Sequence, residues 1–133
     1  MRGLDTNVMV RFVTDDDPAQ TAVVKALFEQ AEEAREQLFV SSIALCELVW
    51  TLRSRPYLLP RAEIATVLQR MLGTHLFEIQ DRDLVRQALG DYRQGRADFA
   101  DYLLGCLNRR GGCVETLTFD RKLDGAPGFI LLS

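Results

Sequence analysis

Residues 38–50 read LFVSSIALCELVW, a short apolar run followed by two serines and a longer apolar run. The first run predicts a brief strand at residues 38–40. Ser41 or Ser42 is a good N-cap for a helix of about ten residues that begins at Ile43. Because a strand that leads through a cap into a helix is the building unit of α/β proteins, this stretch predicts an α/β fold.

The same alternation continues on both sides of this stretch. Further strands are predicted at residues 2–4, 76–79, 115–119 and 129–132, and further helices at residues 6–13, 18–35, 61–72, 81–93 and 99–110. The aspartates at positions 15–17 are interpreted as a solvated loop in which Asp17 caps the helix that Pro18 begins. This order predicts a three-layer α/β/α sandwich with a central, mostly parallel sheet. Since there is no linker, repeat or low-complexity tract, residues 1–133 are expected to form a single domain.

The composition is that of an ordinary globular protein, with 47% hydrophobic and 26% charged residues. The net charge of -3 gives no overall basic surface for nucleic acid, although carboxylates that ligate a cation would contribute to this negative sum. Cys46, Cys106 and Cys113 form no CxxC pair, and Cys46 and Cys106 lie in apolar helical stretches, where reduced, buried thiols are expected. No apolar run approaches ~18 residues. We therefore expect a cytoplasmic protein that does not associate with membranes.

Four carboxylates each follow a predicted strand or lie in the first turns of the next helix. They are Asp5, Glu47, Asp101 and Asp120, and Asp98 lies close to them in sequence. The carboxyl ends of parallel strands meet at one edge of a sheet, so these side chains are expected to converge. Clustered carboxylates repel one another unless a cation or shared protons compensate them. With a single His and no metal-spaced Cys pair, the oxygen ligands favour one or two Mg²⁺ or Mn²⁺ ions over zinc.

Glu47 is the only charged residue between Phe39 and Leu52. A carboxylate on so apolar a helix is costly unless something compensates it, and a role as a metal ligand is one such compensation. Two alternatives stay open from the sequence. Glu47 could lie on a narrow solvent-facing stripe beside Ser42 or Thr51, or it could form a buried ion pair with an arginine.

Asp98 and Asp101 are three residues apart and therefore share a helix face. N-capping alone would explain Asp98, so its role at a metal stays open. Thr6, Asn7 and Thr118 lie next to the predicted ligands and could orient carboxylates or water as supporting residues. Turn and cap chemistry is the alternative explanation for these three polar residues.

Four segments together resemble the PIN-domain ribonucleases, specifically the VapC toxins of type II toxin–antitoxin systems. They are LDTNV at residues 4–8, CELVW at 46–50, DFADYL at 98–103 and TLTFD at 116–120. The resemblance spans essentially the whole chain. It implies an α/β/α sandwich, an acidic pocket that binds Mg²⁺ or Mn²⁺, endoribonuclease activity, homodimers, and inhibition by a cognate antitoxin. By position, the acidic set of the family falls on Asp5, Glu47, Asp101 and Asp120. Many relatives have Ser or Thr at the position of Asp98.

The predicted reaction is hydrolysis of an RNA phosphodiester bond. Candidate contacts to the RNA backbone are Arg11, Arg93, Arg96 and Arg121. One alternative is a catalytically weak module of the same fold that binds RNA or acts as a scaffold. A phosphoacceptor regulatory domain is less favoured, because no lysine ends a late strand. A haloacid-dehalogenase-like phosphatase is disfavoured by Asn7, which stands where a second aspartate is needed.

Overall fold

A computed structural model describes all residues from Met1 to Ser133, and the chain divides into two compact units. The first unit is Met1–Arg82 and the second is Asp83–Ser133. Each unit combines helices with parallel strands, and the predicted α/β class is confirmed. None of the helices has both the length and the apolar character needed to cross a membrane.

The first unit carries a three-stranded parallel sheet. Its elements are β1 (Arg2–Gly3), α1 (Thr6–Thr14), α2 (Pro18–Glu33), β2 (Leu38–Val40), α3 (Ser42–Arg53), α4 (Arg61–Leu72) and β3 (Phe77–Ile79). The strand order is β1-β2-β3, and Leu38 pairs with Phe77. Each strand is followed by a helix, as the sequence predicts.

The second unit carries a two-stranded parallel sheet. Its elements are α5 (Arg82–Gln94, with Arg82 still in the first unit), α6 (Phe99–Arg110), β4 (Thr116–Thr118), a 3₁₀ turn (Arg121–Leu123) and β5 (Phe129–Leu131). In the β4–β5 pair, Leu117 lies opposite Ile130. The pairing is parallel as predicted, but the five strands fall into two sheets, three in one and two in the other.

Local capping explains where several helices begin. Asp17 precedes α2 and accepts the Gln20 N–H at 3.1 Å, and Pro18 takes the first helical position, where no N–H is needed. Ser41 precedes α3 and accepts the Ala44 N–H at 3.1 Å. The predicted cap at Asp17 is confirmed, and of the two candidate serines it is Ser41 that caps α3.

Apolar side chains fill the interior of each unit. In the first unit, Phe28 of α2 packs against Phe12 of α1 and Phe77 of β3, with ring centroids 4.8 and 5.5 Å apart. In the second, Phe99 of α6 is fully buried and packs edge-on against Tyr92 of α5. These contacts hold α1, which begins after Asp5, and α6, which carries Asp101.

Candidate functional site

Three of the predicted site carboxylates are helix N-caps. Asp5 precedes α1 and accepts the Thr6 N–H at 2.8 Å. Asp98 precedes α6 and accepts the Phe99 N–H at 2.9 Å. Asp120 follows β4 and caps the 3₁₀ turn. An N-cap carboxylate meets helix N–H groups that otherwise lack partners, so each of these acids is held in a defined position.

The strand that leads to Asp5 is anchored just before it. The Leu4 N–H donates to the Phe39 carbonyl at 2.9 Å, which extends the β1–β2 pairing to the residue that precedes Asp5. Of the two predicted supporting residues that follow, Thr6 is buried and Asn7 is exposed. Of these two residues, only Asn7 is therefore open to solvent.

Asp98 and Asp101 form a reciprocal capping box at the start of α6. The Asp98 side chain accepts helix N–H groups, and the Asp98 N–H donates to Oδ2 of Asp101 at 3.2 Å. The predicted cap at Asp98 is confirmed. The box also fixes one oxygen of Asp101, so the backbone at the start of α6 and the Asp101 carboxylate move together.

Asp120 is held by the residues on either side of it. Its backbone N–H donates to the Thr118 hydroxyl at 3.0 Å, and its Oδ1 accepts the Lys122 N–H at 2.9 Å. The sequence predicts that Thr118 orients a carboxylate or a water. In the structure Thr118 holds the Asp120 backbone, and the carboxylate itself is oriented by the 3₁₀ turn.

Glu47 is exposed on the surface of α3. It shares a solvent-facing stripe with Ile43 and Trp50, which are 72% and 45% exposed. The stripe interpretation is therefore right about exposure, although its other members are these apolar residues instead of Ser42 or Thr51. The buried ion pair is wrong, because the side chain is not buried. The assignment of Glu47 as a ligand stays a prediction.

The predicted acids are divided between the two units. Asp5 and Glu47 belong to the first, and Asp98, Asp101 and Asp120 belong to the second. Neither unit contains three or more His, Cys, Asp or Glu side chains arranged to hold a metal ion. The donor chemistry, oxygen from carboxylates alone, fits Mg²⁺ or Mn²⁺. That these acids form one metal site stays a prediction.

Arg11 is part of a polar network inside the first unit. Its guanidinium donates to Gln20 at 2.8 Å, to the Asp16 carboxylate and to the Tyr57 hydroxyl at 3.4 Å. Tyr57 in turn donates to Asp16 Oδ2 at 2.6 Å, and Thr14 donates to Asp16 Oδ1 at 2.9 Å. The hydrogen bond from Tyr57, followed by those from Thr14 and Arg11, lowers the pKa of the Asp16 carboxyl.

This network has two consequences for the sequence interpretation. The predicted solvated loop is confirmed, since Asp16 is exposed and lies outside the helices, and three side chains bind its carboxylate there. The sequence gives no signal for Tyr57, since nothing local pairs it with residues 41 and 46 positions away.

The four predicted RNA contacts differ in exposure. Arg93, Arg96 and Arg121 are exposed, whereas Arg11 is half-buried and its guanidinium already binds Asp16.

Comparison with known proteins identifies one family across nearly the whole chain. The family model described as PIN domain matches residues 4–128. A curated relative, the VapC ribonuclease of Aquifex aeolicus (strain VF5), is 27% identical over 122 residues. That alignment covers 92% of this chain and 89% of the relative.

Proposed function

The chain belongs to the PIN-domain family, and from that premise we propose that it is a divalent-metal-dependent endoribonuclease, the toxin of a toxin–antitoxin pair. The observation that carries the proposal is the family match over residues 4–128, which includes every acid of the predicted site. The name of the Aquifex relative, a ribonuclease, points to the same substrate class.

The proposed metal ligands are Asp5, Asp101 and Asp120, and Glu47 either ligates or holds the attacking water. Asp5 and Asp120 are fixed by capping contacts, and Asp101 by its bond from the Asp98 N–H. These contacts supply the preorganisation that a site for small divalent cations needs. Glu47 is exposed, which suits a carboxylate that must reach a water molecule. Asp98 acts mainly as the cap that holds Asp101.

The proposed reaction joins a water oxygen to phosphorus and breaks the bond from phosphorus to the 3′ oxygen of the preceding nucleotide. One or two bound Mg²⁺ or Mn²⁺ ions would supply water activation and neutralise charge on the phosphorane and the leaving oxygen. A carboxylate near the water, Glu47 in this proposal, would accept its proton. Exposed arginines at positions 93, 96 and 121 would bind backbone phosphates and hold the strand without selecting its sequence.

The proposal includes the organisation and the partners of the protein. Residues 1–133 would act as one PIN domain. The protein would form homodimers in the cytoplasm, and a cognate antitoxin would inhibit it. A short antitoxin-like reading frame next to the gene would separate a toxin from a housekeeping nuclease.

Cleavage of total RNA tests the central claim. The protein is incubated with total RNA in Mg²⁺ or in EDTA, and new 5′ ends are sequenced. We expect Mg²⁺-dependent cuts that Asp5→Asn abolishes while its melting temperature stays close to wild type. Asn removes the charge without changing volume and caps a helix as well as Asp does.

Asp15→Asn is the matched control for this experiment. Asp15 lies at the other end of α1 in the left-handed region (φ 54), which Asn tolerates. The control makes the same change of charge on the same helix, and it should cleave like wild type. Cleavage that survives EDTA or Asp5→Asn would contradict the metal mechanism. RNA binding without any cleavage would favour the scaffold alternative.

A further inference from the structure

Two successive side chains of α6 hold the segment that leads into this helix. The Ala97 N–H donates to the Tyr102 hydroxyl at 3.2 Å, and the Asp98 N–H donates to Oδ2 of Asp101 at 3.2 Å. Ala97 is fully buried and Tyr102 is 5% exposed. Two consecutive peptide groups are thus fixed from the first turn of α6. One is bound by a proposed metal ligand and the other by a tyrosine that has no role in the mechanism.

Gly95 makes room for the Tyr102 hydroxyl. A Cβ atom built on Gly95 would lie 1.8 Å from the hydroxyl oxygen and 2.7 Å from Cζ of the Tyr102 ring. No residue with a side chain can occupy position 95 unless the tyrosine moves. The glycine is therefore explained by the approach of this one side chain to the backbone.

The tyrosine ring is also held from its other side. It packs edge-on against Phe129 of β5, with ring centroids 6.4 Å apart and an angle of 87° between the rings. One turn further along α6, Gly105 lets the Phe129 ring approach the helix backbone closely. Tyr102 therefore connects strand β5 to the segment that precedes Asp98, and its hydroxyl has little freedom to move.

We propose that Tyr102, with Gly95 beside it, is a positioning residue for the Asp101 carboxylate. This inference rests on the proposed function, in which Asp101 is a metal ligand. The Tyr102 hydroxyl accepts the Ala97 N–H and so fixes the 96–97 peptide, and the N–H of the next peptide, that of Asp98, fixes one oxygen of Asp101. Groups that orient metal ligands in this way typically affect metal affinity or activity by about 10–100-fold.

Tyr102→Phe tests the proposal, because it removes the hydroxyl and keeps the ring that packs on Phe129. In the metal-free protein we expect faster amide hydrogen exchange at Ala97 and Asp98, measured by NMR. We expect Mn²⁺ affinity, measured by calorimetry, to fall about 10-fold. RNA cleavage should show a lower kcat with an unchanged KM for RNA, since the RNA contacts are intact.

Tyr92→Phe is the matched control. Tyr92 is the other buried tyrosine of the same unit, and its ring packs edge-on against Phe99. A general loss of stability from removing a buried hydroxyl should be similar in the two variants. Only Tyr102→Phe should change the exchange rates at the start of α6, the Mn²⁺ affinity and kcat.

Gly95→Ala disrupts the close approach of the Tyr102 hydroxyl to the backbone by changing the glycine instead of the tyrosine. The added methyl group displaces the Tyr102 hydroxyl, so this variant should reproduce the losses of Tyr102→Phe. Combining the two should cost less than the sum of the single effects, because the first change has already broken the shared contact.

Wild-type Mn²⁺ affinity in Tyr102→Phe would overturn the inference, and so would an equal loss in Tyr92→Phe. Fully additive effects of Gly95→Ala and Tyr102→Phe would also overturn it. A wild-type protein that binds Mn²⁺ but cleaves no RNA would contradict the proposed function instead. Amide exchange and Mn²⁺ affinity would then still decide whether Tyr102 positions Asp101.

Discussion

Two helical glycines should respond in opposite ways to the same substitution. A methyl group added to Gly90 of α5 would meet no atom within 4 Å outside its own helix backbone, whereas a Cβ on Gly105 of α6 would lie 2.6 Å from Cζ of Phe129. Ala is favoured over Gly in a helix interior by about 0.5–1 kcal/mol. Gly90→Ala should therefore raise the free energy of unfolding by this amount.

At Gly105 the helical gain is opposed by overpacking. The new methyl group would also lie 3.0 Å from Cε2 of Phe129, so the ring must move. Its movement is restricted because Tyr102 packs edge-on against it. Forcing extra volume into a packed interior costs about 1–3 kcal/mol. After the helical gain is subtracted, we expect Gly105→Ala to destabilise the protein by up to about 2.5 kcal/mol.

Urea titration and thermal melting of the metal-free protein measure this difference. A change of 1 kcal/mol shifts the melting temperature of a chain of this size by about 3–5 °C, so the two variants should move in opposite directions. Phe129→Leu removes the ring, and adding Gly105→Ala to that background should cost less than in wild type. Equal stabilisation by Gly90→Ala and Gly105→Ala would refute the reasoning that α6 and β5 are in close contact there.

Three further predictions concern the acids. Asp101→Asn should abolish RNA cleavage with little loss of stability, because the amide oxygen can still accept the Asp98 N–H. Asp98→Ser should keep most of the cleavage activity and most of the stability, because Ser also caps well. Equal loss of cleavage in the two variants would make Asp98 catalytic. Tyr57→Phe should destabilise the protein at neutral pH and less so below about pH 4. The lowered pKa of Asp16 gives stability that is present above its ordinary pKa and is lost as pH falls through the pKa of the folded state. A pH-independent difference between the variant and wild type in urea titrations would contradict this. Without metal, Glu47→Gln should melt at or above the melting temperature of wild type, and adding Mn²⁺ should raise its melting temperature by less. If calorimetry shows the same metal-induced rise in melting temperature for both proteins, Glu47 lies outside the site.

Helix starts and strand positions could be predicted from the sequence because they depend on near neighbours. A cap such as Asp17 or Ser41 binds an N–H three residues later, so the residue type and the next few positions are sufficient. The same local rule places Asp5, Asp98 and Asp120 at the starts of helical segments. The positions of these three acids can therefore be predicted from short segments of the chain.

Helical spacing predicts which residues of α3 share a face with Glu47, but not that this face is exposed. Ile43, Glu47 and Trp50 are four and three residues apart, which places them on one face of α3. The apolar composition of the segment suggested burial on every side. Composition states how apolar a helix is, but the period determines which residues share a face.

The sequence by itself determined the parallel α/β elements, their caps and the identity of the acids, since each depends on the chemistry of adjacent residues. Only the tertiary structure decided that Tyr57 binds both Arg11 and Asp16, and that Gly105 lies against Phe129. These contacts join residues far apart in the chain. They depend on how complete helices and strands pack, and a pattern within a short stretch carries no information about the distance between such surfaces.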